Sequence, residues 1–189
     1  VKNGENMAQN EVLAVSKPKT SFLVDLLIAG LGSCFLALMS QVAIPLPGTP
    51  IPVTLQTLAV FLLGGILGSQ RGVYSVIAYL IQGCCVLPVF AGGVANPLWI
   101  LGPQAGFLIS FSIAAFVIGK MVERKPQADI LYIVGALIVG QLVIFSLGMA
   151  WLAFYVGPFK AFSCGVVPFL SGAGLKIIAG SLALRLYRK

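Results

Sequence analysis

Apolar residues run along this chain in six long blocks, separated by connectors that are either short and polar or rich in Gly and Pro. The blocks cover roughly Phe22 to Ile44, Val53 to Gly68, Gly72 to Phe90, Pro103 to Met121, Ile130 to Phe154 and Gly172 to Tyr187. Most approach the ~20 residues that a helix needs to cross a bilayer, and the second and last are short enough to cross with little tilt. The pattern predicts an all-α membrane protein of six transmembrane helices over residues 21–189, with a polar N-terminal tail over residues 1–20. The leading VKNGEN before Met7 reads as an appended remnant. Lys17 and Lys19 precede the first block as a signal-peptide n-region would, but that block is longer than an h-region of about 7 to 15 residues and further spans follow. It is therefore read as a retained helix.

Composition agrees. Of the 189 residues 59% are hydrophobic and 9% charged, against about 25% charge in a soluble domain. The formal net charge of +7 acts through its placement. Lys17 and Lys19 precede the first helix, Arg71 lies between the second and third, Lys120, Arg124 and Lys125 between the fourth and fifth, and Arg185, Arg188 and Lys189 close the chain. The alternate connectors carry only Lys160. By the positive-inside rule both termini and the two basic turns face the cytoplasm, so the basic charge is a topology signal and no nucleic-acid role is needed to explain it.

The outer connectors are the unusual part. The first, IPLPGTPIPV at Ile44 to Val53, packs four prolines into ten residues without a charge. Pro fixes φ and lacks a donor, so this run is expected to form a stiff extended strap with few unpaired N–H groups. The second, Leu87 to Pro103, mixes Gly and Pro with Phe90 and Trp99, and the third, Tyr155 to Gly172, is again rich in aromatics, Gly and Pro. Irregular apolar backbone at membrane depth persists only where protein covers it or where it lines a cavity. The three are expected to be poor in helix and to pack on one another, as the lid or wall of a site for a partly apolar ligand.

Catalysis finds no support. The chain has no His, and it contains no HExxH, no GxxxxGK[ST] phosphate loop and no GxSxG nucleophile elbow. Its five acidic residues include two in the tail, and Glu123 and Asp129 flank a basic turn. Lacking a phosphate loop, the chain cannot hydrolyse ATP, so any ATP-driven work belongs to partners. Cys34, Cys84, Cys85 and Cys164 have no metal-ligand spacing and read as small packing residues, so neither a metal nor a cofactor is expected.

Binding remains. An ionisable group inside a membrane is costly and marks a candidate site, and Lys176, following SGAGL about one turn into the last helix, is the clearest. Its ammonium suits a carboxylate or a polarised carbonyl. The amides of Gln56, Gln82, Asn96 and Gln104 fall on the same side and suit a ligand that both donates and accepts hydrogen bonds. Phe90, Trp99, Trp151 and Tyr155 lie at the outer ends, either as an interfacial belt or, for the first three, as cavity walls. On the first helix Ala29, Ser33 and Ala37 recur every fourth residue, a smooth stripe for internal packing or for docking another membrane protein. Asp25, near the inner end of that helix, reads as an interfacial or Lys-paired residue.

The run IPLPGTPIPVTLQTLAVFLLGGILG, with GVYSVIAYLIQGCCVLPVFAGG, LGPQAGFLISFSIAAFVIG, GMAWL and VVPFLSGAGLK following in order, resembles the BioY biotin transporters. These are the substrate-capture (S) components of energy-coupling-factor (ECF) importers. The resemblance extends from about Leu23 to the C-terminus. It implies a six-helix bundle with cytoplasmic termini in a prokaryotic cytoplasmic membrane, biotin held under the first outer loop, and Lys176 on the vitamin's polar groups. It also implies a transmembrane coupling (T) component and two ATPase subunits as partners, with the Ala29, Ser33, Ala37 stripe as the docking face. One departure stands out: where the family usually reads PFLPGDLLK, this chain reads PFLSGAGLK, placing Ala173 at the aspartate position and Ser171 at a proline. The rivals are a self-sufficient transporter, which would act without ATPases, and a ligand-free assembly protein, whose outer loops would only pack.

Overall fold

The computed structural model describes residues 22–188; the expected polar tail and the lysines within it lie outside the described residues. Five helical stretches are long and apolar enough to cross a membrane: Phe22–Gln41, Gln56–Cys84, Ala105–Arg124, Ile130–Val156 and Pro158–Tyr187. Two of the five are interrupted. Numbered in chain order, the helices are α1 (Phe22–Gln41), α2 (Gln56–Leu62), α3 (Gly68–Cys84), α4 (Ala105–Arg124), α5 (Ile130–Val156), α6 (Pro158–Gly165) and α7 (Leu170–Tyr187).

Helix α2 continues into a wide-turned π segment, Leu63–Leu67, and then reverses at Gly68. There φ is +85°, a conformation open to Gly and strained for any other residue. A Cβ added to Gly72 would lie 3.1 Å from the Gly64 Cα, whereas residues eight apart on one continuous helix are separated by about 12 Å. The two arms therefore fold back on each other as a tight hairpin. Gly64 is also where α4 closes in, since a Cβ there would sit 2.7 Å from the Ala115 carbonyl oxygen. The turn expected at GSQRG exists, but α3 begins at its first residue and ends at Cys84, short of the expected Phe90.

Helix α2 occupies the centre of the bundle, with Ala59, Val60 and Phe61 inaccessible to solvent, and it packs against α1, α4, α5 and α7. Around it run the neighbour pairs α1 with α3, α3 with α4, α4 with α5 and α5 with α7. Large apolar side chains cover the outer surface, Leu23, Leu31 and Leu38 of α1 among them. Facing lipid they cost nothing, and only the seams between helices must be closely packed. The structure is that of a multi-pass integral membrane protein.

At the end where α2 meets α3, polar groups hold the turns. Glu123 at the end of α4 accepts from Ser69 N at 2.8 Å and from Ser69 Oγ at 3.1 Å, so its carboxylate caps the N-terminus of α3. Asp25 pairs with Arg71 at 2.8 Å, so its partner is an arginine where sequence pointed to a lysine or to the interface. Arg188 donates to the carbonyls of Lys125 and Pro126, tying the end of α7 to the α4–α5 turn.

The outer connectors differ from expectation in two ways. The proline run is a hairpin: Ala43–Ile44 pairs antiparallel with Val53–Thr54, and the chain turns at Leu46 to Thr49. Pro47 followed by Gly48, with φ +83°, supplies the two central residues of a type II turn, which explains why the strap doubles back. The third connector contains helix, α6, where none was expected. Gly157 with φ +80° ends α5, Pro158 starts α6 without a wasted donor, and the short helix folds back on α5.

Candidate functional site

At the end of the bundle opposite the basic turns, the hairpin, α2, α4, α5 and α7 surround a cavity that is open at its mouth. Ile51 and Pro52 of the hairpin form its roof. Phe107, Leu108 and Phe111 of α4, Ile144 and Phe145 of α5, and Phe169 of the one-turn 3-10 segment before α7 supply apolar walls. The polar lining is Thr54, Gln56, Thr57, Gln104, Gln141 and Lys176, with no carboxylate among the lining residues. Lys176 makes no ion pair among the described residues, so the cavity carries one uncompensated positive charge.

Two of these amides also build the enclosure. Gln56, buried in the first turn of α2, accepts from Thr54 Oγ1 at 3.0 Å and donates to the Tyr79 hydroxyl at 2.6 Å. This joins the base of the hairpin to the middle of α3. Gln104, immediately before α4, donates from Nε2 to the Pro50 carbonyl at 2.9 Å and so ties the hairpin down over the cavity.

Thus Lys176, Gln56 and Gln104 come together in one cavity. Asn96, Phe90 and Trp99 do not; they line an adjoining cavity that shares Gln104 and Leu108 with the first. Asn96 turns its side-chain oxygen back on Leu98 N at 3.0 Å, a local Asx turn. Phe90 is buried edge-on against Tyr79 (5.5 Å between ring centroids) and Trp99 (6.1 Å), and Trp99 Nε1 donates to Cys84 Sγ at 3.0 Å. These two rings plug the second connector onto the end of α3 and line the adjoining cavity. Trp151 lines neither cavity. Its Nε1 donates to the Gly102 carbonyl at 3.0 Å, and Tyr155 does the same to Leu101 at 2.7 Å, so both clamp the backbone leading into α4. Gln82 lies away from the site and donates to Ser33 Oγ at 3.0 Å.

The small-residue stripe of α1 is turned inward. Ala29 is 6% exposed and Ser33 0%, with Ala37 half-buried, and the neighbouring Gly32 lies directly against Ser75 of α3. In the chain by itself Ala29 and Ser33 are taken up by internal packing.

Sequence reasoning missed the polar lining residues Thr54, Thr57 and Gln141 and the apolar walls Phe107, Leu108, Phe111, Ile144, Phe145 and Phe169. Gln141 is 5% exposed near the middle of α5, and its Oε1 has no hydrogen-bond partner; neither has Thr57 Oγ1. The available signal was an amide in the centre of an otherwise apolar spanning helix.

Fold and site together define a helical membrane protein with a mostly apolar cavity beneath the hairpin. A family model described as the BioY family matches residues 9–189. The chain belongs to the BioY family, a family of transporters and not of enzymes. It is 36% identical over 164 residues to the "Biotin transporter BioY" of Thermotoga maritima, covering 86% of this chain and 95% of that one. It is also 36% identical over 155 residues to the protein of the same name from Rhodobacter capsulatus, covering 76% and 81%. A crystal structure of the S-component for biotin from an ECF-type ABC transporter superposes with a TM-score of 0.80 at 24% identity, over 92% of this chain and 95% of that one, which establishes the shared fold.

Proposed function

We propose that this chain captures biotin at the outer face of a prokaryotic cytoplasmic membrane as the S component of an ECF importer. The observation that carries the reading is the cavity: apolar walls, one unpaired ammonium and hydrogen-bonding groups without partners, in a chain of the BioY family. Biotin is complementary to it. Its fused rings are largely apolar, its ureido group has two N–H donors beside one carbonyl, and its valerate ends in a carboxylate. Lys176 would donate a charge-assisted hydrogen bond to the ureido carbonyl, or would neutralise the carboxylate in low-dielectric surroundings. Gln56 and Gln104 are hydrogen-bond candidates, and the phenylalanines of α4 and α5 hold the rings. The adjoining cavity, with Asn96, Phe90 and Trp99 on its border, gives the valerate chain room.

In this reading α1, α2 with its π segment, α3, α4, α5 and α7 are six crossings, and the basic turns place both termini in the cytoplasm. A T component and two ATPases supply the energy from that side. The Ala29, Ser33, Ala37 stripe of α1 is the docking face this reading proposes, with Ala29 and Ser33 covered in the chain by itself. Reconstitution in liposomes tests the proposal. Labelled biotin should be bound by the chain alone, and accumulated only when the coupling module and ATP are present. Accumulation by the chain alone would replace this reading with that of a self-sufficient transporter.

A further inference from the structure

Among the described residues, the buried side-chain polar atoms that lack a hydrogen-bond partner are Thr57 Oγ1, Gln141 Oε1 and Arg188 Nε. Arg188 is at the opposite end of the bundle; the other two line the cavity. A buried acceptor left unpaired is costly. Such groups persist where a ligand completes them.

We infer that Gln141 is a specificity-determining residue of this chamber, its amide oxygen receiving a ureido N–H of the bound vitamin. The inference rests on the biotin reading. Gln141 projects from α5, while Lys176 projects from α7, the helix packed against α5. One wall thus offers an acceptor and the other a cationic donor, the complement of an N–H beside a C=O. No lining carboxylate competes for the N–H, and Ala173 leaves its stretch of the α7 wall small and apolar. Recognition of the N–H therefore falls to a neutral amide. Ligands of the same shape without a donor at that point leave the Gln141 oxygen unpaired and are rejected. Thr57, from α2, is a further group open to the same ligand.

This role has a signature that a structural role does not. Gln141→Met keeps the side-chain length and removes the unpaired acceptor, so the ligand-free protein should melt at the same temperature as wild type or higher. Biotin affinity should fall roughly tenfold, and Gln141→Glu, which keeps an acceptor, should retain more affinity than Gln141→Met. Both variants and wild type are to be titrated with labelled biotin in detergent and melted without ligand. Unchanged affinity in Gln141→Met overturns the inference, as does loss of affinity together with a lower ligand-free melting temperature or failure to fold. Wild-type protein that is folded but binds no biotin sinks the biotin reading and this inference with it. Wild-type binding alongside either contrary result sinks this inference alone.

Discussion

Gln104 and Pro50, fifty-four residues apart, are joined across the cavity mouth by a 2.9 Å hydrogen bond from the Gln104 amide to the Pro50 carbonyl. Pro50 has no N–H of its own to anchor the loop, so its carbonyl is the handle by which the hairpin is held. The bond lies at an exposed edge, where such a contact is worth about 0.5–1.5 kcal/mol. It is strong enough to bias the lid and weak enough to break thermally.

Gln104→Leu should therefore act on exchange more than on folding. The biotin dissociation rate should rise several-fold, about 2- to 10-fold by the same energy range, with a melting temperature close to wild type. Stopped-flow release into excess unlabelled biotin measures it.

Tyr79 is fully buried and receives the Gln56 amide at 2.6 Å. Tyr79→Phe leaves the Gln56 donor without its partner and should destabilise the protein by about 1–3 kcal/mol. Affinity should fall as well, because the Gln56 side chain loses the bond that aims it. Melting of the free and biotin-bound protein separates the two effects.

Gly68 carries φ +85° at the α2–α3 reversal, and a Cβ there would meet Glu123 Oε1 at 2.5 Å. Gly68→Ala should cost about 1–3 kcal/mol for the backbone conformation alone, with further loss from displacing the carboxylate that caps α3. Glu123→Gln, which keeps the shape and removes the charge, should cost less. Thermal melting of the two variants orders them.

Much of the fold was legible because the bilayer makes hydrophobic block length decisive: α1, α4, α5 and α7 lie within a few residues of their expected bounds. The connectors were harder. Pro47–Gly48 is a turn signal, but the surrounding prolines favour extended backbone, and only the Ala43–Ile44 pairing with Val53–Thr54 decides for a hairpin. At the site, Lys176 was visible as a charge in an apolar helix, whereas Gln141 was hidden because α5 is apolar all round and nothing in its periodicity marks an inward face. Phe90, Trp99 and Trp151 read alike as wall, plug or clamp until their partners are known. Ala29, Ser33 and Ala37 posed the same problem, since a smooth stripe suits an internal seam as well as an external one.

The central claim is that the chamber beneath the hairpin binds biotin through Lys176. Equilibrium titration of labelled biotin against purified wild type, Lys176→Ala and Lys160→Ala tests it most directly, Lys160 being an exposed cation on α6 outside the cavity. Wild type and Lys160→Ala should bind tightly and saturably. Lys176→Ala should bind about 10- to 100-fold more weakly, as expected for losing a charge-assisted hydrogen bond. Folded wild-type protein that fails to bind, or Lys176→Ala binding as tightly as wild type, would contradict the account.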